Sequence, residues 1–320
     1  MTTTHDVIIV GGGPAGLTAA VYAARKSLNV LLITRDIGGQ ALYSLGIENY
    51  MGYQFISGQD LMSRFEEQVE KYKVERALAE VKTVAKTSNA FVAQTETGEK
   101  YRGRTIIVAT GKKSRTLNAK GIDSFVGRGV SYCATCDAPF FAGLDVAVIG
   151  GGNSALTAAY ELVEIARKVY LINRSPLKAD EVYLDKIRDA PNLERFIGYE
   201  LAEVRGGDAV TEAVFRRTSD GSLMTLQVAG IFIEIGLIPN SELVKDFALL
   251  NKDDEIVVGC DCTTSIPGLF AAGDVTTVPE KQIIVAAGEG AKAAISAYKY
   301  ILQERPHAIV GNSTASTTTE

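Results

Sequence analysis

The same glycine-rich segment occurs twice in this chain of 320 residues. The first copy, DVIIVGGGPAGLTAA, begins at Asp6, and the second, DVAVIGGGNSALTAA, begins at Asp145. In each copy an apolar, strand-like run leads into three glycines and then into an alanine-rich, helix-like stretch. A second apolar run follows each copy, at residues 29–34 (NVLLIT) and 168–173 (KVYLIN). The pattern predicts two βαβ units of the dinucleotide-binding type.

Each glycine in such a unit has its own physical role. Gly11 permits the tight turn after the strand, Gly13 lets the backbone approach a pyrophosphate, and Gly16 lets the helix pack closely on the strand. The helix N-terminus then presents free N–H groups and a positive dipole end to the phosphates. One such motif is a weak signal, but two motifs, each between a strand and a helix, predict two dinucleotide sites. The corresponding residues of the second copy are Gly150, Gly152 and Ala155.

The composition excludes several classes of protein. Hydrophobic residues at 46% and charged residues at 22% are ordinary for a globular protein. A formal charge of −5 provides no basic field for a nucleic acid backbone. No apolar run reaches the roughly 18 residues of a membrane span, and the N-terminal MTTTHDVIIVGGG lacks the features of a signal peptide. We therefore expect a cytoplasmic protein that binds neither nucleic acid nor membrane.

A Cys-x-x-Cys motif lies near the middle of the chain, in SYCATCD at residues 131–137. Four cysteines are too few for a secreted disulfide scaffold. Zinc would need further ligands, but the other cysteines, Cys260 and Cys262, are spaced C-x-C, and His5 and His307 lie near the chain ends. Zinc is therefore disfavoured unless distant cysteines converge in space, and no metal is predicted. A redox pair and two reduced core thiols remain as interpretations.

Three further segments bear on the first dinucleotide site. Residues 104–111 (RTIIVATG) predict a buried strand that ends in a tight turn, and residues 265–275 (SIPGLFAAGDV) predict another that ends at Gly273 and Asp274. Asp274 could accept a hydrogen bond from a sugar hydroxyl, or it could merely cap the following segment. Residues 281–294 (KQIIVAAGEGAKAA) predict a helix with small residues that can lie close to a flat ring system.

The order of the motifs resembles that of the low-molecular-weight thioredoxin reductases, from about Asp6 to about Leu302. It runs GGGPAG, GGQ, ENY, ATG, CATCD, GGGNSA, IGLIPN and AAGDV. Residues 278–294 (VPEKQIIVAAGEGAKAA) are even more similar to the core of the flavoprotein component (the F subunit) of alkyl hydroperoxide reductase, a close relative. The resemblance implies an α/β fold of two nested Rossmann-like (three-layer ββα) domains, the second inserted in the first. FAD would occupy the first site, and a nicotinamide nucleotide the second.

The predicted boundaries follow from this nested layout. The FAD-binding domain comprises residues 1–113 and 244–305, and the nicotinamide-binding domain, with the CATC motif, comprises residues 114–243. The crossing segments are GKKSRTLN and IGLIPNSE, whose composition is typical of hinges. Residues 210–233 predict a β-hairpin in the second domain. The low-complexity tail, residues 306–320, is predicted to be disordered.

The resemblance also implies two sets of binding residues and a catalytic set. The FAD set is Gly11, Gly12, Gly13, Pro14, Ala15, Gly16, Thr34, Arg35, Gly39, Gln40, Asn49, Val81, Thr110, Gly111, Gly273, Asp274, Lys281, Gln282 and Ile283. The nicotinamide set is Gly151, Gly152, Asn153, Ser154, Ala155, Asn173, Arg174, Lys178 and Gly236. The catalytic set is Cys133, Cys136 and Asp137.

The resemblance assigns a role to each catalytic residue. Cys136 would face the flavin, Cys133 would attack the partner's disulfide, and Asp137 would be the acid–base. If CATCD opens a helical turn, the helix dipole favours a Cys133 thiolate. Asp137 could equally be a carboxylate that interacts with that dipole. The resemblance further implies a homodimer and a rotation of the inserted domain, because nicotinamide and dithiol need the same flavin face in turn.

Two departures from the family pattern affect the function. Thioredoxin reductases usually carry a His-Arg-Arg run and a further arginine after the second βαβ unit, where this chain has Asn173, Arg174 and, a few residues on, Lys178. No carboxylate stands at the NADH position, so NADPH is favoured over NADH, although both cations could be ordinary surface charges and some relatives have lost nicotinamide use. The chain also begins directly with the FAD fold, so we expect its dithiol partner to be another protein.

The leading hypothesis is a thioredoxin-disulfide reductase that moves electrons from NADPH through FAD and the Cys133/Cys136 dithiol to thioredoxin or a similar dithiol protein. A second hypothesis is an NADH- or ferredoxin-dependent reductase of a glutaredoxin-like or peroxiredoxin-coupled carrier. A third is a flavin redox sensor without turnover. A plain ferredoxin–NADP⁺ reductase is disfavoured because it has no use for the CATC pair. Cys260 and Cys262 are most simply structural.

Overall fold

The computed structural model of the chain describes residues 4–44, 46–115 and 117–304. The predicted disordered tail lies outside these residues. The first segment of the chain forms strands and helices in the order β1 (Thr4–Val10), α1 (Pro14–Arg25), β2 (Val30–Thr34), α2 (Gly58–Glu70), β3 (Val74–Leu78), β4 (Val81–Lys86), β5 (Phe91–Thr95) and β6 (Lys100–Val108).

The middle of the chain continues with further strands and helices. They are β7 (Lys112–Ser114), β8 (Val130–Ser131), α3 (Ala134–Asp137), β9 (Asp145–Ile149), α4 (Asn153–Val163), β10 (Lys168–Asn173), α5 (Glu181–Ile187), β11 (Leu193–Ile197), β12 (Tyr199–Gly206), β13 (Val210–Arg217), β14 (Leu223–Gln227), β15 (Gly230–Ile233) and β16 (Leu237–Pro239). The chain then returns to the first sheet with β17 (Leu269–Ala271) and α6 (Ile283–Glu304).

The first unit is built on a sheet with the strand order β3-β2-β1-β6-β5-β4, and β17 pairs with the last part of β6. Strands β1, β2, β3, β6 and β17 are parallel, whereas β4 and β5 pair antiparallel. All five residues of β2 are buried, as expected for a parallel strand covered on both faces. Helices α1 and α6 cross closely, because a Cβ atom on Gly290 would lie 2.0 Å from the Ala15 carbonyl oxygen.

The second unit repeats this construction with a parallel sheet in the order β11-β10-β9-β15-β8. Helix α4 packs on one face of it, and the antiparallel strands β12, β13 and β14 pack on the other. The predicted fold class, with two Rossmann-like units, is confirmed. The hairpin predicted over residues 210–233 is partly wrong, because only β13 and β14 form it. β15 pairs instead in parallel with β9, where its four buried residues complete the core.

The two predicted crossing segments lie side by side. Strand β7 in the first crossing pairs antiparallel with β16 in the second, so that Lys112 lies opposite Pro239. Thr110 and Asn240 exchange two hydrogen bonds of 2.8 Å at the base of this ladder. The domain boundaries themselves stay a prediction. Within the described ranges, none of the helices combines the length and the apolar character needed to span a membrane.

Candidate active site

A cavity of about 1400 Å³ lies between the two units, at the carboxyl ends of β1, β2, β6 and β17. Both cysteines of the Cys-x-x-Cys motif reach it, together with most of the predicted FAD set. The predicted residues that line it are Gly11, Gly12, Gly13, Pro14, Ala15, Thr34, Arg35, Gly39, Gln40, Val81, Thr110, Gly111, Cys133, Cys136, Asn153, Ser154, Gly273, Asp274, Lys281, Gln282 and Ile283. The structure therefore brings the first glycine turn and the cysteine pair to one site.

The two remaining residues of the predicted FAD set support the cavity from behind. The Asn49 side chain donates a hydrogen bond of 3.1 Å to Oε1 of Gln282, which lines the cavity. A Cβ atom on Gly16 would lie 1.8 Å from the Gly11 carbonyl oxygen. Gly16 thus permits the close approach of α1 to the glycine turn.

The first glycine turn has room for a pyrophosphate. A Cβ atom on Gly13 would meet nothing closer than the Gly38 carbonyl oxygen at 4.0 Å, so the backbone is open at this point. No side chain caps the N-terminus of α1 within the described residues, which leaves its amides for an anion. Asp274 adds a half-buried carboxyl group whose pKa is raised by burial, against the influence of Lys281 and Lys112. In the described part of the chain this carboxyl accepts no hydrogen bond, so it can accept one from a sugar hydroxyl.

The cysteine pair forms a disulfide in the turn 133–137, which we call the redox turn. Cys133 and Cys136 are half-buried, their Cα atoms are 5.3 Å apart, and the Cys136 N–H group lies 3.3 Å from Cys133 Sγ. Helix α3 in this turn has only four residues, so local amides rather than a long-helix dipole interact with the sulfur. The predicted dipole effect is correspondingly small.

Asp137 at the end of the redox turn is a buried carboxyl group. Ser131 Oγ donates a hydrogen bond of 2.6 Å to Asp137 Oδ2, while Oδ1 has no partner among the described residues. Burial raises the pKa of Asp137, and the Ser131 hydrogen bond only partly offsets it. This side chain can therefore hold a proton nearer to neutral pH than an exposed aspartate.

The other two cysteines lie elsewhere. Cys260 is exposed, and Cys262 is buried with its Sγ 3.5 Å from the Glu289 carbonyl oxygen. Burial raises the pKa of Cys262 to about 12, so it stays a thiol at neutral pH. Among the described residues there is no group of three or more His, Cys, Asp or Glu side chains that could hold a metal ion.

The second glycine turn lies beside the cavity, with the loop that follows β10 folded over it. The Lys178 N–H group donates a hydrogen bond of 2.7 Å to the Gly151 carbonyl, and Asn153 exchanges two hydrogen bonds of 2.9 Å with Asp180. A Cβ atom on Gly152 would meet nothing within 4 Å. Seven residues of the predicted nicotinamide set lie outside the large cavity: Gly151, Gly152, Ala155, Asn173, Arg174, Lys178 and Gly236.

The polar residues at the end of β10 and after it could bind a nucleotide. Asn173 is buried, and its Oδ1 atom has no partner in the described part of the chain. Arg174 and Lys178 are exposed, and neither forms an ion pair with another described residue. By contrast, Arg167 on the same unit binds both oxygens of Asp145. Free cations next to an open glycine turn fit the phosphates of a nicotinamide nucleotide.

Two carboxylates near the redox turn were not predicted from the sequence. Glu234 follows β15, and Glu161 lies on α4; both line the cavity. Burial, together with the charge of Glu161, raises the pKa of Glu234 to about 7, although the Ala134 N–H group lowers it. The one sequence signal for Glu234 is its place directly after an apolar strand, at the sheet edge where ligands bind in such folds.

The chain is similar to a known family and to known proteins. The family model described as pyridine nucleotide-disulphide oxidoreductase matches residues 5–290. The F subunit of alkyl hydroperoxide reductase from Escherichia coli (strain K12) is 40% identical over 307 residues, which cover 94% of this chain and 59% of that protein. Its counterpart in Staphylococcus aureus (strain MSSA476) is 40% identical over 302 residues, with coverages of 93% and 59%. The chain thus spans 59% of the length of these relatives.

Solved structures of thioredoxin reductases are also similar. The enzyme from Streptococcus pyogenes MGAS5005 has a TM-score of 0.89 and 35% identity, covering 95% of this chain and 100% of that one. The enzyme from Giardia duodenalis has a TM-score of 0.86 and 30% identity, with coverages of 93% and 99%. The Lactococcus lactis enzyme in its "FR conformation" has 35% identity, with coverages of 94% and 100%, but a TM-score of 0.64. Equal identity with a lower TM-score indicates a different arrangement of the same fold.

Proposed function

The chain belongs to the pyridine nucleotide-disulphide oxidoreductase family, and we propose that it moves electrons from NADPH through FAD to the Cys133–Cys136 disulfide, and from there to a thioredoxin-like protein. The observation that carries this proposal is the shared cavity. The disulfide and the first glycine turn face the same space, and the second glycine turn lies on the unit that carries the disulfide.

The residues of the first turn fit FAD. Gly13 and the N-terminus of α1 would hold its pyrophosphate, and Asp274 would accept a hydrogen bond from a sugar hydroxyl. When bound, FAD supplies the two-electron chemistry that links a nicotinamide nucleotide to a disulfide.

The cysteine pair then carries the electrons onward. The Cys133–Cys136 bond takes up two electrons and breaks, and Asp137 gives a proton to one of the two sulfurs. The Cys133 thiolate attacks the partner's disulfide and forms a mixed disulfide, from which one partner sulfur leaves. Cys136 then attacks Cys133, so that the pair is oxidised again and the partner departs as a dithiol. Ser131 keeps the Asp137 carboxyl in place through its hydrogen bond of 2.6 Å.

NADPH rather than NADH is proposed because Arg174 and Lys178 are exposed cations without ion pairs to described residues, and because Asn173 stands where a carboxylate would favour NADH. The second glycine turn and the disulfide lie on the same unit. This unit must therefore rotate to bring first the nicotinamide and then the disulfide to the same face of the flavin. The paired crossings β7 and β16 are the proposed pivot. The lower TM-score of the relative in its "FR conformation" supports such a rearrangement.

A second candidate partner is a peroxiredoxin-coupled carrier, with NADH as the possible donor. It is favoured by the 40% identity to the F subunit of alkyl hydroperoxide reductase. Turnover with reduced ferredoxin in place of a nicotinamide nucleotide would indicate a ferredoxin donor. Absence of turnover with every donor and carrier would indicate a redox sensor. The homodimer and the cytoplasmic location remain predictions.

The first experiment compares Cys133→Ser, Cys136→Ser and, as a matched control, Cys260→Ser at an exposed site away from the cavity. We expect the first two variants to keep their flavin and to lose NADPH-dependent reduction of thioredoxin, because the electron relay is broken. The control should turn over like the wild type. Undiminished turnover with both cysteines of the redox turn replaced would contradict the proposal, and activity only with a peroxiredoxin-coupled carrier would select the second candidate.

A further inference from the structure

The carboxyl group of Glu289, on helix α6, is buried next to the wall of the cavity. The residue is only 3% exposed, and its Oε2 atom accepts a hydrogen bond of 2.8 Å from the Gly273 N–H group. Its Oε1 atom has no hydrogen-bond partner among the described residues. Gly273 and Asp274 line the cavity, whereas Glu289 does not. Glu289 can therefore act on a bound group through the residues that it holds.

The buried Gly273 amide depends on this carboxylate. The sheet pairing of the segment ends one residue earlier, where the Ala272 N–H group donates a hydrogen bond of 3.0 Å to the Val108 carbonyl. Gly273 then adopts a φ of +77°, and its carbonyl accepts a hydrogen bond of 2.8 Å from Thr276 Oγ1. A buried N–H group without an acceptor costs free energy comparable to a lost hydrogen bond. Glu289 thus supplies an acceptor at the point where the sheet pairing has ended.

Residues 273–276 form a turn, which we call the Asp274 turn, at the wall of the cavity. Asp274 follows Gly273 directly, and its side chain is half-buried. A Cβ atom on Gly273 would lie 3.1 Å from Ala15 Cβ and 3.5 Å from Ala286 Cβ, so the turn is packed between α1 and α6. A shift of this turn would therefore move the Asp274 carboxyl group relative to the N-terminus of α1.

Helix α6 fixes the position of Glu289 relative to the first glycine turn. The next residue, Gly290, lies where α6 crosses α1, and a Cβ atom there would lie 2.0 Å from the Ala15 carbonyl oxygen and 3.0 Å from Ala15 Cα. Helix α1 begins at Pro14, directly after the glycine turn. Glu289 and its helix thus connect the glycine turn with the Asp274 turn.

We propose that Glu289 is a positioning residue for FAD, which fixes the Asp274 turn relative to the N-terminus of α1 so that both can hold the same FAD molecule. The inference rests on the proposed function in so far as FAD occupies the first site. The N-terminus of α1 would hold the pyrophosphate, and the Asp274 carboxyl group would accept a hydrogen bond from a sugar hydroxyl. Glu289 acts through the Gly273 N–H group.

The test measures how tightly the holoprotein holds FAD in the wild type, Glu289→Leu and Glu289→Gln. Leucine is of similar size but has no acceptor, whereas glutamine keeps an oxygen for the Gly273 N–H group. Each holoprotein is diluted stepwise and equilibrated, and the released FAD is measured by its fluorescence after ultrafiltration. Ser296→Ala is the matched control, because it removes a hydrogen bond of 2.8 Å from α6 to the Asp261 carbonyl, outside the cavity. Circular dichroism checks that each variant is folded.

We expect Glu289→Leu to raise the dissociation constant of FAD roughly tenfold or more, because the buried Gly273 N–H group loses its acceptor. Glu289→Gln should stay within about threefold of the wild type, since the hydrogen bond is kept. The Ser296→Ala control should bind FAD like the wild type. An unchanged dissociation constant in Glu289→Leu would overturn the proposal.

A double-mutant cycle with Asp274→Ala distinguishes positioning from a general loss of structure. If Glu289 acts through the Asp274 turn, Glu289→Leu should change the dissociation constant of FAD by about threefold or less when the Asp274 carboxyl group is already absent. A loss by the same factor with and without this carboxyl group would overturn the proposal, because the two residues would then act independently.

Should Glu289→Leu fail to fold, Glu289→Asp takes its place. Aspartate keeps the charge but is one methylene shorter, so it cannot reach the Gly273 N–H group from the same backbone position. The same loss of FAD affinity is expected, and unchanged affinity would overturn the proposal. A wild-type protein that holds no FAD would contradict the proposed function itself, whereas the contradicting outcomes in a protein that holds FAD would overturn this inference alone.

Discussion

The two glycine turns share one sequence pattern but differ in their surroundings. The first faces the cavity of about 1400 Å³ beside Asp274, next to a cluster in which Glu255 binds Lys112 at 2.7 Å and Lys281 at 3.1 Å. The second lies near the surface, where Arg174 and Lys178 are exposed. A site within a large cavity suits a cofactor that stays bound through many turnovers, whereas a site at the surface suits a nucleotide that must leave after each one.

The largest loss of stability and of bound flavin is expected when Gly16, after the first turn, is replaced by the residue found at the corresponding position after the second turn. Gly16→Ala gives the first unit the residue that the second unit carries as Ala155, but its Cβ atom would lie 1.8 Å from the Gly11 carbonyl. We expect loss of bound flavin and destabilisation by about 3 kcal/mol, the upper part of the usual range for overpacking. Flavin absorbance after desalting and denaturant unfolding measure both quantities.

The reciprocal variant, Ala155→Gly, is the matched control. It removes one methyl group from α4, so we expect a loss of about 1 kcal/mol or less and unchanged flavin content. Equal flavin retention in Gly16→Ala and Ala155→Gly would contradict the claim that the flavin is bound at the first turn and not at the second.

Substitutions beside the second turn are expected to have a smaller effect, which is confined to NADPH binding. Arg174→Ala and Lys178→Ala should each raise the KM for NADPH by roughly tenfold or more, because a hydrogen bond to a charged group contributes about 1.5–3 kcal/mol. The KM for NADH and the flavin content should not change. Steady-state kinetics with both nucleotides measure the selectivity, and Arg167→Ala, an exposed cation bound to Asp145, is the control. Parallel changes for NADPH and NADH would mean that these cations do not read the 2′-phosphate.

The sequence predicted those parts of the fold that follow from local rules. The turns at Gly11 and Gly150 were predictable because a strand, a tight glycine turn and a helix leave a strong local pattern. The helical turn after Cys133 and the crossings through β7 and β16 were found for similar reasons. The family and the enzyme class followed from the order of these motifs, and the family match confirms both.

The remaining features of the fold and the site depend on tertiary contacts, which a local sequence pattern does not predict. Strand β15 looks like part of a hairpin with β14, but the parallel sheet recruits it because its buried residues fit beside β9. Glu161 is far from the redox turn in sequence and meets it only through the packing of α4, and Glu234 reaches the same cavity from the end of β15. For the same reason the sequence could not show that Arg174 and Lys178 lie outside the large cavity.

The central claim, that electrons entering at the second turn pass through the first site to the redox turn, is tested most directly by an anaerobic titration. NADPH is added to the purified flavoprotein, and flavin absorbance is followed to completion. The account predicts two NADPH consumed per flavin in the wild type, since flavin and disulfide each take two electrons, but one in the Cys133→Ser/Cys136→Ser variant. Consumption of one NADPH per flavin by both proteins would contradict it, because the disulfide would then lie outside the electron path.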